Sequence, residues 1–423
     1  MIKRRLILFC CLILSLVVLC SGCSGGSGKT DTKELIIWGE WTGENEKQVN
    51  KMLEKFNQES GIKAKYLPQQ DMVTKFLTAS VSGQVPDLII WDRFMTSTYS
   101  SKNVILPINE YIEKENISLD DYFPQAIEEL TYDDKLYGMP LNVDGWGLYV
   151  NKTLLKEKGL KTPTTWEELR ETAKALTVWE NGKLKRAGLS MQQIPGLFYS
   201  WIQTAGGKML NDDQTTVAFN SKEGMEVLNF WNTLLNEDKV YQLGFESGLG
   251  EGVDAFVTGQ VAMTWGPLLA MEQYQKYSDQ LEFEYIGFPA GPRGDQGGLI
   301  GGFGLSIPTA SKNHDASWEL IKWWVVDEQN ALEWAKISKT LPGNLKMAKD
   351  DYFTKDTNFS NAVKAMEVSK LRPTVPGYSS MESQVVWPQI QAFFEGQQSA
   401  EETLKSMEEQ GNEMLAQYKE QNQ

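Results

Sequence analysis

The chain has 423 residues, a net charge of −15 and 14 tryptophans among its aromatics. That length is enough for two domains, each with its own hydrophobic core, and the acidic balance argues against nucleic acid or anionic lipid headgroups as partners. All four cysteines (Cys10, Cys11, Cys20, Cys23) lie at the extreme N-terminus, which leaves the rest without a disulfide framework or a cysteine-based metal site.

The chain opens with the basic Met1-Ile-Lys-Arg-Arg, then an apolar run from Leu6 to Leu19 broken only by Ser15. Such a run is short for a membrane span and suits an export signal. Leu19-Cys20-Ser21-Gly22-Cys23 puts small residues before a thiol and resembles the bacterial lipoprotein box, with Cys20 where an aliphatic residue is usual. The expectation is a signal peptide over 1–22, acylation of Cys23, and a lipid-anchored protein on the extracytoplasmic side of the cell membrane. An ordinary signal peptide or an uncleaved anchor helix is the alternative. Residues 23–32 begin with serines and glycines and read as a flexible tether.

Beyond the tether, Glu34-Leu-Ile-Ile-Trp38 is a short apolar run and predicts a strand. Val49, Met52, Leu53 and Phe56 recur at helical spacing, with Gly61 as the stop. Ile62, Ala64 and Tyr66 alternate as in a strand. Val73, Phe76, Leu77 and Val81 predict a second helix ending at Gly83, and Pro86–Trp91 a third strand. A β-α-β-α-β order calls for a largely parallel sheet covered by helices. In open sheets of this kind a ligand sits beyond the carboxyl ends of the strands. That rule nominates Glu40 and Trp41 after the first strand, and Asp92 and Arg93 after the third. Trp38 and Trp91 are equally readable as core plugs.

Tyr137–Asn151 is extended and glycine-punctuated, and predicts a crossing between lobes. Thr165 and Glu168 form a capping box opening a helix through Ala175. Further helices are expected at 221–236 and at 313–326, where Ala316, Leu320, Ile321 and Trp324 form one stripe.

Several segments together resemble a known family. They are Tyr149-Val-Asn-Lys-Thr-Leu-Leu, Thr162-Pro-Thr-Thr-Trp-Glu-Glu-Leu, Phe256-Val-Thr-Gly-Gln-Val-Ala-Met-Thr-Trp-Gly-Pro267 and Gly301-Gly-Phe-Gly-Leu-Ser-Ile-Pro, followed by Ala316-Ser-Trp-Glu-Leu-Ile-Lys-Trp-Trp. In this order they are similar to the family 1 extracellular solute-binding proteins, carbohydrate-type receptors of ABC importers that include maltose-binding proteins. The resemblance implies an α/β, two-lobed, periplasmic-binding-protein-like fold. Each lobe would have a central, mainly parallel sheet with helices on both faces, and several hinge crossings would join the lobes. The first lobe would take 33–140 plus 300–350, the second 141–299 plus 351–423. It also implies a carbohydrate ligand, a membrane permease as partner, a monomer, no cofactor and no metal.

A sugar offers C–H faces and a ring of hydroxyls, so its site needs flat apolar surfaces beside fixed polar groups. Trp41 lies past its strand among Glu, Thr and Gly and is the best ring for that purpose. Trp91-Asp92-Arg93 resembles a sugar-contacting segment of maltose-type receptors. The resemblance also places Asp144 and Trp146 at the first crossing and Trp265 on the cleft wall. Gly302, beside Phe303, would let backbone approach a hydroxyl, or be a plain crossing loop. Arg372 suits hydroxyls or a carboxylate, or a structural salt bridge. Tyr378 and Trp387 fit hinge packing equally well.

A glycan hydrolase using paired carboxylates is the alternative function. His314 is the only histidine, and the chain carries no His-Glu-x-x-His motif. A structural adhesin would require repeats, which the sequence lacks.

Overall fold

The computed structural model describes residues 34–192, 194–249 and 254–421. The expected signal peptide, tether and lipidated Cys23 lie outside the described residues. The strands of the two main sheets are β1 (Leu35–Gly39), β2 (Ala64–Pro68), β3 (Leu88–Asp92), β4 (Met139–Pro140), β5 (Asp144–Asn151), β6 (Met263–Pro267), β7 (Phe283–Ile286), β8 (Ile300–Gly301) and β9 (Phe303–Ser306). The first sheet runs β2-β1-β3-β9-β4, and the second runs β6-β5-β7 with β8 also paired to β5.

Helix α1 (Gly43–Ser60) forms where the spacing predicts and buries Val49, Met52, Leu53 and Phe56 against the first sheet. It stops at Gly61, whose φ of 74° is the left-handed turn that glycine adopts without strain. Helix α2 (Met72–Ser82) ends at Gly83 in the same way. Its expected apolar face is shorter than the spacing suggests: Phe76 is buried, while Val81 in the last turn is 92% exposed.

The strand directions correct the expectation of mainly parallel sheets. β1 is parallel to both β2 and β3, but β9 is antiparallel to β3 and to β4. In the second sheet β6, β7 and β8 all run antiparallel to β5, and the parallel pairings in that lobe are isolated bridges, Thr165–Ala290, Ala187–Val261 and Leu299–Lys370. The reason is the connectivity. The chain enters the second lobe along β5 and must come back, so the returning β8–β9 segment opposes the strands it joins.

Side chains alternate along β5, and its two faces carry different cores. Leu148 and Val150 join Trp166, Trp201, Trp231 and the C-terminal residues Leu404 and Met407. Tyr149 on the other face joins Tyr285, Phe256, Tyr274 and Phe359. The first sheet has its own core with Trp318, Trp324 and Trp334. Helix α3 (Trp166–Leu176) starts under a cap in which Thr165 Oγ1 accepts from the Glu168 amide at 3.2 Å. The returning bond from Glu168 falls on Thr164, one residue before the expected partner. The expected helices at 221–236 and 313–326 form as α4 (Lys222–Asn232) and α5 (His314–Ile321), each running on into a π-helical turn. Among the described residues no helix is long and apolar enough to cross a membrane.

Asp87, one residue before β3, ties three segments of the first lobe. Its carboxylate accepts from Ile36 N at 3.0 Å, Ser311 Oγ at 2.8 Å and Asn313 Nδ2 at 2.9 Å. Replacing it leaves those donors unpaired in a buried place. Asp87→Ala should therefore lower unfolding stability by about 3 kcal/mol in urea titrations; wild-type stability would show that the tie is dispensable.

Candidate binding cleft

The chain passes between the sheets at three places. Leu141–Val143 leads from β4 into β5. Gly302 separates β8, paired with Asp144 and Gly145, from β9, paired with β3. Leu341 bridges back to Val143. Around these crossings sit most of the nominated residues, in two different roles.

Arg93 is the first correction. Its side chain is fully buried and makes four bonds within the protein. Nε donates to Glu129 Oε2 at 3.1 Å, Nη1 to the carbonyls of Asn142 at 2.5 Å and Phe303 at 3.1 Å, and Nη2 to the Gly301 carbonyl at 2.6 Å. The guanidinium fork therefore clamps two crossings together and offers a solute nothing. Gly302 belongs to the same knot. Its φ is +130°, and a Cβ there would lie 2.7 Å from both Arg93 Nη1 and the Asn142 carbonyl. The glycine makes room for the clamp rather than for a ligand.

Trp265 is the second correction. It is 3% exposed, stacked on Phe288 with centroids 4.5 Å apart and edge-on to Trp201 at 5.4 Å. Alternation along β6 turns it into the second-lobe core. Asp144 is also buried, and its Oδ1 accepts from the amides of Gly145 and Leu268, both at 2.8 Å. It anchors the Leu268–Leu269 turn.

The rest of the first-lobe set lies at the carboxyl ends of β1 and β3. Trp41 is half-buried, between Phe303 at 4.4 Å and Trp334 at 5.7 Å. Its backbone is fixed by the Tyr66 hydroxyl, which takes the Trp41 amide at 2.9 Å. Glu40 is exposed, and its Oε1 accepts from Met72 N at 3.3 Å, at the start of α2. Asp92 caps the turn after β3 through Phe94 N at 3.0 Å and keeps part of its carboxylate exposed. Trp91 is a core plug, its Nε1 donating to Ser306 Oγ at 2.9 Å, and Trp38 packs on the same core.

Arg372 faces Asp92 at 3.3 Å and Glu382 at 3.7 Å, with its guanidinium carbon 3.5 Å from the Phe94 ring centroid. Burial works against its charge, but Asp92, Glu382 and Glu129 outweigh that and hold it above the ordinary arginine range. Tyr378 is buried edge-on to Phe94 at 5.8 Å, and Trp387 is exposed beside Gly196. Trp146 is half-buried, paired with Pro267 across the β5–β6 ladder.

A narrow gap separates the two sides. Trp41, Asn45, Gln48, Trp334, Ser338 and Thr340 line it opposite Leu269, with Asn142 at the crossing. Polar bridges span it: Gln48 Nε2 donates to Glu272 Oε2 at 2.8 Å, and the hydroxyls of Thr98 and Ser379 lie 3.4 Å apart. Asn142, Trp334 and the Gln48–Glu272 pair escaped sequence reasoning. Asn142 lay inside the crossing segment already singled out, and Trp334 sits on a helix whose periodicity reads as ordinary core.

Burial raises the carboxyls of Asp144 and Glu129 to about 7 each, against the pull of nearby Arg93. Their ordinary values lie near 4. At these two groups the folded state holds more protons than the unfolded one between about pH 4 and 7, so the stability they contribute falls as pH rises through that window. The melting temperature should be higher at pH 5 than at pH 8, and Asp144→Asn should flatten the profile; a wild-type profile rising toward pH 8 contradicts this. Arg93→Ala should cost about 3–5 kcal/mol of stability, the scale for stranding one partner of a buried pair. Full stability with lost solute binding would return Arg93 to the ligand site.

The comparisons agree with this architecture. An ABC substrate-binding protein of Listeria monocytogenes, in complex with cycloalternan, superposes with a TM-score of 0.81 at 21% identity, covering 91% of this chain and 100% of that one. A maltose/maltodextrin-binding domain from Bdellovibrio bacteriovorus bound to maltotriose gives 0.78 at 20% identity, covering 91% and 100%. A Brucella abortus protein named only as a binding protein is 22% identical over 400 residues, 93% of this chain and 94% of its own length. An sn-glycerol-3-phosphate-binding periplasmic protein of the same organism is 29% identical over 191 residues, 42% of each chain. The family model described as bacterial extracellular solute-binding protein matches residues 51–361, most of the chain, and the chain belongs to that family.

Proposed function

We propose that this protein is the solute receptor of an ABC importer, capturing a sugar or oligosaccharide outside the cell and delivering it to a membrane permease. The observation that carries the reading is the construction of the lobe interface. Two crossings are locked by one buried arginine, while the facing walls meet through a few polar contacts such as Gln48–Glu272 and Thr98–Ser379. A rigid hinge beside a lightly latched gap suits opening and closing about a fixed axis. Trp41, stacked on Trp334, gives the gap an aromatic wall, and Glu40, Asp92 and Arg372 are the polar groups we assign to the solute.

A solute touching both walls favours the closed state by its differential affinity. The sugars named for the structural neighbours support a carbohydrate in this role. The N-terminal residues add export and acylation of Cys23, which would leash the protein to the outer face of the cell membrane, and the family resemblance adds a monomer with lobes divided near residues 140, 300 and 350.

A sugar that binds should raise stability by about 2.7 kcal/mol at a hundredfold excess over its Kd, with no product formed. Release of cleaved sugar would favour the paired-carboxylate hydrolase instead. Trp41→Ala should weaken binding by about 2 kcal/mol without unfolding the chain; unchanged affinity by calorimetry would remove Trp41 from the site.

A further inference from the structure

The single turn Arg93–Met95 after β3 reaches out of its own lobe. Arg93 closes the hinge clamp, but the ring of Phe94 beside it is seated in the other half. Phe94 is 8% exposed and belongs to the core built on Trp201 and Trp231. Among the described residues it is the one buried member of that core from the ranges expected for the first lobe. Met95, the next residue, is partly buried and packs against both cores.

The turn is held by the first lobe and the crossing. The Phe94 amide donates to Asp92 Oδ1 at 3.0 Å, Thr96 Oγ1 to the Arg93 carbonyl at 2.6 Å, and the Arg93 amide to the Gly302 carbonyl at 3.1 Å. Its seat is held by the second lobe. The Lys370 amide donates to the Gly298 carbonyl at 3.1 Å, and the Leu371 carbonyl accepts from the Tyr199 hydroxyl, which fixes the segment carrying Arg372. Tyr378 opens a helical stretch whose Met381, Val385 and Val386 lie in the second-lobe core. Between turn and seat, the Arg372 guanidinium carbon lies 3.5 Å from the Phe94 ring centroid, and Tyr378 meets the ring edge-on at 5.8 Å.

A side chain fixed in one lobe and seated in the other couples lobe position to burial. Opening the gap withdraws the ring into water and uncovers Arg372 and Tyr378; closing restores both. The neighbouring Asp92–Arg372 pair contributes less, because the Asp92 side chain is 43% exposed and its charge is screened. The bridges Gln48–Glu272 and Thr98–Ser379 exchange with water at small cost. The ring gains on both counts, from apolar area removed from water and from a cation on its face. Resting on the receptor reading above, we propose that Phe94 is the closure latch: seated against Arg372 and Tyr378, it sets the closed fraction of the chain, and through it the affinity for every solute, without touching the solute.

The test is small-angle scattering of the sugar-free full chain beside Phe94→Leu and Phe94→Ala, with calorimetry of maltotriose and mannobiose. Phe94→Leu keeps apolar bulk but gives the guanidinium no ring. The sugar-free radius of gyration should rise in the order wild type, leucine, alanine. Affinity should fall about tenfold in Phe94→Ala and by the same factor for both sugars, because a change in closed fraction scales every apparent Kd alike. An unchanged sugar-free radius in variants that melt as the wild type does overturns the latch and leaves the receptor reading standing. A loss confined to one sugar also overturns it, since the ring would then be a solute contact. Where the alanine variant fails to fold, the leucine variant decides by the same comparison. A radius that rises in a chain binding neither sugar supports the latch and counts against the carbohydrate reading alone.

Discussion

One guanidinium, taken wholly out of water, holds the two halves of this molecule in register. Arg93 follows directly on β3, so its position is set by the first sheet, yet its donors end on carbonyls of both crossing segments. The carbonyls it takes lie at or beside the strand ends where the chain crosses, and a charged donor is a strong partner for them. Gly302 is the complement of that choice, because only a residue without a Cβ leaves space for the fork. Glu129 neutralises the charge from α-helical backbone of the first lobe (Pro124–Glu129), completing a small, dry knot at the axis.

The proposed latch lies outside that knot. The polar contacts across the gap named above are single hydrogen bonds and one ion pair longer than 3 Å, beside the seating of Phe94 against Arg372 and Tyr378. Exchanging a few such bonds for bonds to a solute and water costs little, whereas breaking the Arg93 clamp would strand a buried charge. This contrast separates a hinge from a latch. It also explains why Asp144, adjacent to the crossing, serves the protein's own backbone: by holding the amides of Gly145 and Leu268 it fixes how the Leu268–Leu269 turn faces Trp41.

Much of this was legible in the sequence, for identifiable reasons. The periodicity of α1 and the glycines at 61 and 83 placed the first β-α-β-α units, and the strand-end rule put Glu40, Trp41 and Asp92 on one rim. The same rule overreached by one residue, nominating Arg93 with Asp92, since it ranks segments and does not say which of two neighbours turns inward. Trp265 was misplaced for a related reason: the motif located the strand, but alternation along β6 decides the face, and that requires knowing which side of the sheet is core. Strand direction was likewise hidden. A β-α-β start predicts parallel pairing only until the chain leaves the lobe, and β9 returns from elsewhere.

Small-angle scattering of the full chain, with and without a sugar shown to bind, tests the hinge-and-latch reading most directly. Closure of two lobes about the Arg93 knot predicts a smaller radius of gyration on saturation, with the change abolished when that sugar is omitted. An unchanged radius at full occupancy would contradict lobe closure as the means of capture.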